Sequence, residues 1–228
     1  MRSFLVFLAC LITLPTLAQV DEFKRDMKYS GQRLKVDAEL VTNITVSPAA
    51  DGQFHVLVSY ILNDGKLNDA VQVQLKDGAD EFLLQIDLDE KALKTKNTSD
   101  CEDENASWWG DEWGGRVCSD IQVEIQIPDG TAVDIESVLA DVVLSGEYAE
   151  LNIKTVTGNI DLTWPEKLGF LLDLKTTNGG VYTNYDLKTK SNEGLPLISA
   201  HKFDAEWGDG KHLLKLETVT SDIFFRKG

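Results

Sequence analysis

A nine-residue pattern recurs four times in the second half of the chain, and it limits the folds that the chain can adopt. The four copies begin at Glu136, Lys154, Lys175 and Glu217 and read ESVLADVVL, KTVTGNIDL, KTTNGGVYT and ETVTSDIFF. Their starts are 18, 21 and 42 residues apart. A unit of about 20 residues is too short for a helical hairpin, but it suits a few short strands joined by corners and stacked on similar units.

The last spacing is twice the one before it, which predicts one degenerate or expanded rung between Lys188 and Lys211. The predicted fold class is all-β: a single-stranded β-solenoid or prism-like repeat array preceded by antiparallel β strands. Each rung is expected to bury against its neighbours the apolar surface that it cannot bury alone.

Three segments outside the copies alternate apolar and polar side chains, which is typical of strands with one buried face. The apolar positions are Leu34, Val36, Ala38 and Leu40; Phe82, Leu84, Ile86 and Leu88; and Ile121, Val123, Ile125 and Ile127. Turns are predicted at Asn63-Asp64-Gly65, Asp77-Gly78, Pro128-Asp129-Gly130 and Gly208-Asp209-Gly210. Loops are expected to dominate only at 96–120 and 188–210.

One position of the repeat is occupied by Gly158 and Gly179, and by Ala140 and Ser221 in the other two copies. The glycines predict a corner whose backbone is left-handed or otherwise open only to glycine. Hydroxyl side chains precede this corner, and we expect them to form a ladder between neighbouring rungs. They are Thr155, Thr157, Thr176 and Thr218.

The first 18 residues are typical of a signal peptide. Arg2 precedes an apolar run at 4–14, and a small-residue cleavage site follows at 16–18. The mature chain is then predicted to begin at Gln19 and to form one β-repeat domain over 19–228. An uncleaved membrane helix is the competing interpretation, but Pro15 ends the run well short of the roughly 20 apolar residues that a span needs.

Cleavage at this site removes Cys10, which a lipoprotein interpretation would make the lipid attachment site, and leaves Cys101 and Cys118. An even number of cysteines in an exported chain predicts that the two form a disulfide bond. Two free thiols or part of a zinc site are the alternatives. No second Cys or His pair stands at ligand spacing to complete a zinc site.

The charge balance separates classes of partner. The chain has 38 acidic and 22 basic residues, a formal net charge of -16 and a sequence pI near 4.5. Nucleic acids and anionic lipids attract clustered Lys and Arg, so we expect neither as a partner. The remaining partners are an envelope protein or a carbohydrate; the oligomeric state is not predicted.

Several segments together resemble a known family. They are GQRLKVDAELVTNITV from Gly31, IQVEIQIPDGTAVDIESV from Ile121, the copy from Lys154, and GKHLLKLETVTSDIFFRK from Gly210. The mature chain resembles the bacterial putative-adhesin domain family of unknown function, whose toast-rack-like β-repeat fold also occurs in envelope-stress proteins. The resemblance implies an exported protein of the periplasm, the cell envelope surface or the extracellular space. It supplies no catalytic residues.

The segment 100–119, DCEDENASWWGDEWGGRVC, is predicted to be a disulfide-closed insertion rich in tryptophan and acids. Its indoles, Trp108, Trp109 and Trp113, can stack on a sugar ring or on a partner while Asp111 and Glu112 supply hydrogen bonds. The alternative is a lid whose tryptophans fold back over an open end or edge of the β-array. We call this segment the Trp loop.

Candidate catalytic residues are few. His55, His201 and His212 are far apart in sequence, and His55 is expected to point outward from its strand. The motifs of zinc proteases, serine hydrolases and phosphate-binding loops are absent. We therefore predict no enzyme activity, no cofactor and no metal site.

The predicted function is that of a non-catalytic exported envelope protein, an adhesin-like binding or interaction module. One alternative is a structural scaffold module of an envelope or stress-response assembly. The other is an envelope hydrolase whose paired carboxylates come together only in the fold, because their separation is a spatial quantity.

Overall fold

The computed structural model describes residues 20–95, 107–109, 117–187 and 201–228, and most of these lie in strands. The predicted signal peptide and its cleavage site lie outside the described residues. The strands are β1 Asp21–Met27, β2 Arg33–Ala38, β3 Asn43–Pro48, β4 Phe54–Leu62, β5 Val71–Asp77, β6 Glu81–Leu88, β7 Ser107–Trp109, β8 Val117–Ile127, β9 Thr131–Ser137, β10 Asp141–Ser145, β11 Tyr148–Lys154, β12 Ile160–Trp164, β13 Phe170–Thr176, β14 Val181–Thr183, β15 His201–Trp207, β16 His212–Thr218 and β17 Ile223–Lys227. Helical segments are α1 Glu90–Thr95 and two 3-10 turns at Asn63–Gly65 and Asn68–Ala70.

The strands form two mixed sheets, which confirms the all-β prediction. Sheet A has the order β1-β4-β8-β3-β10-β12-β17-β14, with β7 added to β8. Sheet B has the order β15-β13-β16-β11-β9-β2-β6-β5. Antiparallel pairs lie at one end of sheet A and at both ends of sheet B, and every pair between them is parallel.

The four copies of the repeat occupy equivalent positions. In each copy the first residues end a strand of sheet B and the last residues form the next strand of sheet A. The copies are in register, because Lys154 pairs with Glu136 on one side and with Glu217 on the other. Glu217 in turn pairs with Lys175. Opposite charges therefore alternate across the outer face of sheet B, with salt bridges of 3.4 Å between Lys154 and Glu136 and 2.5 Å between Lys175 and Glu217.

The copies do not stack in chain order. The last copy, carried by β16 and β17, lies between the second and the third, because β16 is next to β11 and β13 while β17 is next to β12 and β14. The predicted expanded rung between Lys188 and Lys211 is wrong for its described part, since β15 pairs antiparallel with β13 at the edge of sheet B. The strand order therefore does not match a regular solenoid, in which rungs stack in the order of the chain.

The two sheets enclose one apolar core. The alternating side chains of β2, β6 and β8 point into it as predicted, except that Leu40 and Leu88 are only partly buried. The four predicted turns are confirmed, since each lies at or beyond the end of a strand. In the first of them Asn63, Asp64 and Gly65 all have positive φ. Two of the predicted loop regions contain strands, since β7 and the start of β8 fall within 96–120 and β15 falls within 188–210.

The glycine corner has a different cause from the one predicted. Neither Gly158 nor Gly179 has a positive φ. Both lie against the neighbouring copy: a Cβ on Gly179 would be 1.8 Å from the carbonyl oxygen of Ser221. Close approach between copies, and not a left-handed backbone, therefore requires glycine at these two positions.

Candidate functional site

The Trp loop enters the described structure at β7, whose backbone extends sheet A. Trp108 pairs with Cys118, and Ser107 pairs with Ser119. Leu62 of β4 already pairs with Ser119, so β7 lies on the opposite edge of β8, in line with β3. The backbone of this part of the Trp loop is thus a short arm fixed to the sheet.

The root of this arm is held by side chains from the turn after β4. Cys118 is 7% exposed, and its backbone N–H donates a 2.7 Å hydrogen bond to Oδ1 of Asn63. The amide of Asn68 accepts a 2.8 Å bond from the N–H of Leu62 and donates one of 3.1 Å to Asp21 of β1. Buried amide side chains therefore connect β1, β4 and β8 where the arm begins.

The remaining predicted residues of the Trp loop lie outside the described residues. These are Cys101, Asp111, Glu112 and Trp113. The pairing of Cys101 with Cys118, and the binding role of the loop, consequently stay predictions. For Trp108 and Trp109 the structure describes the backbone alone.

A groove follows the corner between the two sheets on the same side of β8 as the arm. Its first cavity, of about 240 Å³, lies between the end of β6, helix α1 and the corner after β2. Ile121 lines this cavity, two residues beyond the Ser107–Ser119 pair that anchors β7. A second cavity of about 300 Å³ continues along the corners after β9 and β11, and Glu39 lines both. We call the two cavities together the corner groove.

The corner groove has an acidic rim and an apolar floor. The acids are Asp37, Glu39, Asp87, Glu90 and Glu136. The apolar side chains are Leu40, Ile86, Leu88, Ile121, Val138 and Val156. Among the described side chains, Lys154 is the basic one that lines the groove, and it forms its salt bridge with Glu136.

The hydroxyls of the repeat are part of the fold. The buried ones each donate to a backbone carbonyl of the neighbouring strand–corner unit, which is β2 for Ser137 and another copy for the three threonines, as the predicted ladder requires. The bonds are Ser137 to Ala38 at 2.7 Å, Thr155 to Ala140 at 3.3 Å, Thr218 to Gly158 at 3.1 Å and Thr176 to Ser221 at 2.9 Å. Thr157 makes a similar 3.0 Å bond to Val138 at an exposed position. The ladder is confirmed, and its hydroxyl protons are committed to backbone oxygens.

Two described histidines lie in different sheets. His55 is on the outer face of β4, as predicted, with Nδ1 2.7 Å from Asp26 and Nε2 3.0 Å from Asp51. The hydrogen bond to Asp26, together with that to Asp51, raises the pKa of His55. His212 is buried in β16, where its Nδ1 contacts the backbone carbonyl oxygen of Tyr148 at 2.8 Å. The side chain of His201 lies outside the part of the chain whose side chains the structure describes.

Among the described side chains, no three His, Cys, Asp or Glu residues are grouped so as to hold a metal ion. Within the same residues no helix has the length and apolar character of a membrane span.

Comparisons with known proteins agree with this architecture. A putative cell adhesion protein from Clostridium sporogenes superposes on 92% of this chain and 100% of its own, with a TM-score of 0.52 and 11% identity. The chain has the fold of this bacterial protein. A putative adhesin from Bacteroides fragilis, 13% identical, matches over 91% of this chain and 97% of its own with a TM-score of 0.37. No family model and no curated protein matches the sequence.

The resemblance to putative adhesins that the sequence predicted is thus confirmed for the fold. Sequence reasoning missed the corner groove, because its lining comes from five separate segments between Asp37 and Val156. A signal was nonetheless present in the acids that end the alternating strands, such as Asp37 in β2 and Asp87 in β6.

Proposed function

We propose that this protein is an exported, non-catalytic binding module of the adhesin type, located in the periplasm, at the envelope surface or outside the cell. Its contact element is the Trp loop. The observation that carries the proposal is the anchoring of β7: the backbone of Trp108 and Trp109 is fixed to the edge of β8 by strand pairing, beside a groove. An aromatic recognition element on a rigid base loses little conformational entropy on binding.

The use of polar groups by the fold supports a non-catalytic role. The buried hydroxyls of the repeat bond to backbone carbonyls, and His212 contacts a backbone carbonyl oxygen. The name of the Clostridium sporogenes protein, a putative cell adhesion protein, points the same way. We further propose that the parallel strands are a toast-rack-like β-repeat in which the last copy is inserted out of order.

The test is a glycan and mucin array probed with the chain from residue 19 onward and with a triple variant, Trp108→Phe, Trp109→Phe and Trp113→Phe. The control is Trp207→Phe, because Trp207 belongs to β15 at the far end of sheet B. Binding that the triple variant loses and the control keeps is the expected result. A wild-type protein that binds nothing, with loop indoles protected from an aqueous quencher, would replace this proposal with the scaffold module.

Export has its own test. The full chain expressed in a bacterial host with a periplasm is expected to be recovered outside the cytoplasm with Gln19 as its first residue. Intact mass spectrometry of the exported product checks the cleavage site, because an N-terminal glutamine that cyclises would block Edman sequencing. Recovery of a chain that still begins at Met1 would contradict the export prediction.

A further inference from the structure

We propose that the corner groove binds an extended, positively charged polypeptide segment of a partner protein, whose small apolar side chains face the floor and whose Lys or Arg side chains reach the rim. This inference rests on the proposed role as a binding module, but not on the Trp loop as the contact element.

Charge selects the partner. Asp37, Glu39 and Asp87 form no ion pair within the described part of the chain, whereas Glu136 is paired with Lys154 at 3.4 Å. Three carboxylates that pair with no cation of the described residues therefore border one groove. Unlike charges brought together at a partly desolvated surface attract each other and increase the association rate. A basic segment complements this rim, and an acidic one is repelled by it.

The floor adds a second requirement. Val156 is 39% exposed, and together with Leu40 and Val138 it gives the groove an apolar surface. A purely polar ligand would leave this surface in contact with water. Small apolar side chains on the partner would bury this surface. The combination favours alternating basic and apolar residues, because successive side chains of an extended chain point to opposite sides.

The dimensions favour an extended segment over a helix. The groove crosses the ends of β6, β2, β9 and β11, which are consecutive neighbours in sheet B. At about 4.8 Å per strand it is about 14 Å long, the span of about four extended residues. A helix with its side chains is about 10–12 Å wide, too bulky for cavities of about 240 and 300 Å³.

Lys154 gives the groove a direction. It lies on β11, at the end away from β6. A cationic side chain of the partner is repelled there, so the basic residues of the segment belong over β6, β2 and β9. The end of the alternating segment that lies over β11, next to Val156, is then an apolar residue.

The experiment uses the mature chain and a fluorescein-labelled peptide of alternating Lys and Val, followed by fluorescence anisotropy. The groove variant is Asp37→Asn, Glu39→Gln and Asp87→Asn. The control variant, Asp77→Asn, Glu124→Gln and Asp173→Asn, removes the same charge from β5, β8 and β13, outside the groove. We expect the groove variant to weaken binding about tenfold, and the control less than about twofold. A peptide of alternating Lys and Ser should bind more weakly than Lys and Val.

The outcomes are distinguishable. Equal weakening in both variants would show a non-specific attraction to the acidic chain and would overturn the proposal, as would the absence of Lys-Val peptide binding at about 0.05 M salt, where charge screening is slight. The triple Trp variant of the previous section keeps its peptide binding if the groove acts alone. The glycan array can therefore fail to support the Trp loop while the anisotropy experiment supports the corner groove, and the reverse is equally possible.

Discussion

The carbonyl oxygen of Ala140 lies 1.6 Å from the position that a Cβ on Gly158 would occupy. The two residues hold the same place in neighbouring copies of the repeat, and Gly179 and Ser221 are related in the same way. Adjacent copies thus touch through their backbones at this corner. Glycine is needed in one copy of each touching pair, which explains why Ala140 and Ser221 can replace it in the other.

Gly158→Ala is therefore expected to lower the free energy of unfolding by about 3 kcal/mol or more, because a rigid backbone carbonyl cannot yield as a flexible side chain can. Urea denaturation of the two proteins measures this difference. Gly52→Ala is the control: its φ is +69° and its Cβ meets open space, so the loss there should stay at about 1–2 kcal/mol. Equal losses would show that the contact with Ala140 is not what requires glycine.

Thr218→Val should cost about 1–3 kcal/mol, because the carbonyl of Gly158 loses its buried donor at nearly constant side-chain volume. Thr157→Val removes a similar bond at an exposed position, where water replaces the hydroxyl. That control should change the stability by less than about 0.5 kcal/mol. If thermal melts showed the same loss for both variants, the buried ladder would have no special role.

The stability of the protein should fall with rising pH through the titration of His55. Hydrogen bonds to Asp26 and Asp51 raise the pKa of this histidine in the folded state, so folding favours the protonated form. Its contribution is complete below the unfolded pKa of about 6.5 and disappears as the pH passes the raised folded pKa. In His55→Gln the curve of melting temperature against pH should lack this decline. An imidazole NMR titration with its midpoint below that of an unfolded histidine would contradict the prediction.

Asn63→Gly should loosen the arm that carries Trp108 and Trp109. Asn63 has a φ of +44° and accepts the N–H of Cys118, so glycine keeps the backbone conformation while it removes the acceptor. Hydrogen exchange measured by mass spectrometry should accelerate in peptides covering 105–119. Peptides from β13, in the opposite sheet, provide the internal control. Unchanged exchange over 105–119 would mean that strand pairing alone holds the arm.

Replacing Cys101 and Cys118 together by serine is expected to lower the melting temperature while the β-type circular dichroism remains. A bridge closing a loop of this size stabilises by about 3 kcal/mol, which corresponds to a shift of about 6–12 °C for a chain of this length. Mass spectrometry of a non-reducing digest tests whether the two residues are joined. Free thiols at both positions would rule out the bond.

The sequence predicted burial well and topology poorly. Side chains alternate between the two faces of β2 and β8 because a strand is pleated. Once Val36 or Val123 faces the core, every second residue of the same strand faces it too. The order of the copies has no such local signal. The alternation of charge at the first position, where Lys154 meets a glutamate on both sides, is a relation between adjacent strands and not between neighbours along the chain.

The strands β2 and β3 form a further unit of the parallel array, and the sequence pattern did not reveal it because the corner between them is longer. Ala38 pairs with Ser137 and Asn43 pairs with Asp141. The same corner therefore takes one residue more between β2 and β3 than between β9 and β10, and a gapless alignment does not detect it. The corner groove escaped for a related reason, since its acids are adjacent across strands and distant along the chain.

The out-of-order position of the last copy governs when the molecule can become complete. A ribosome makes β16 and β17 after all the other strands of the described residues, yet the parallel neighbours of β13 and β14 in this part of the chain are these two strands. The core therefore cannot close strand by strand in the order of synthesis, and its final assembly waits until β16 and β17 are available for pairing. A chain with this topology cannot complete its core before β17 is made, and a delay of this kind is compatible with transport through a channel that admits only unfolded polypeptides.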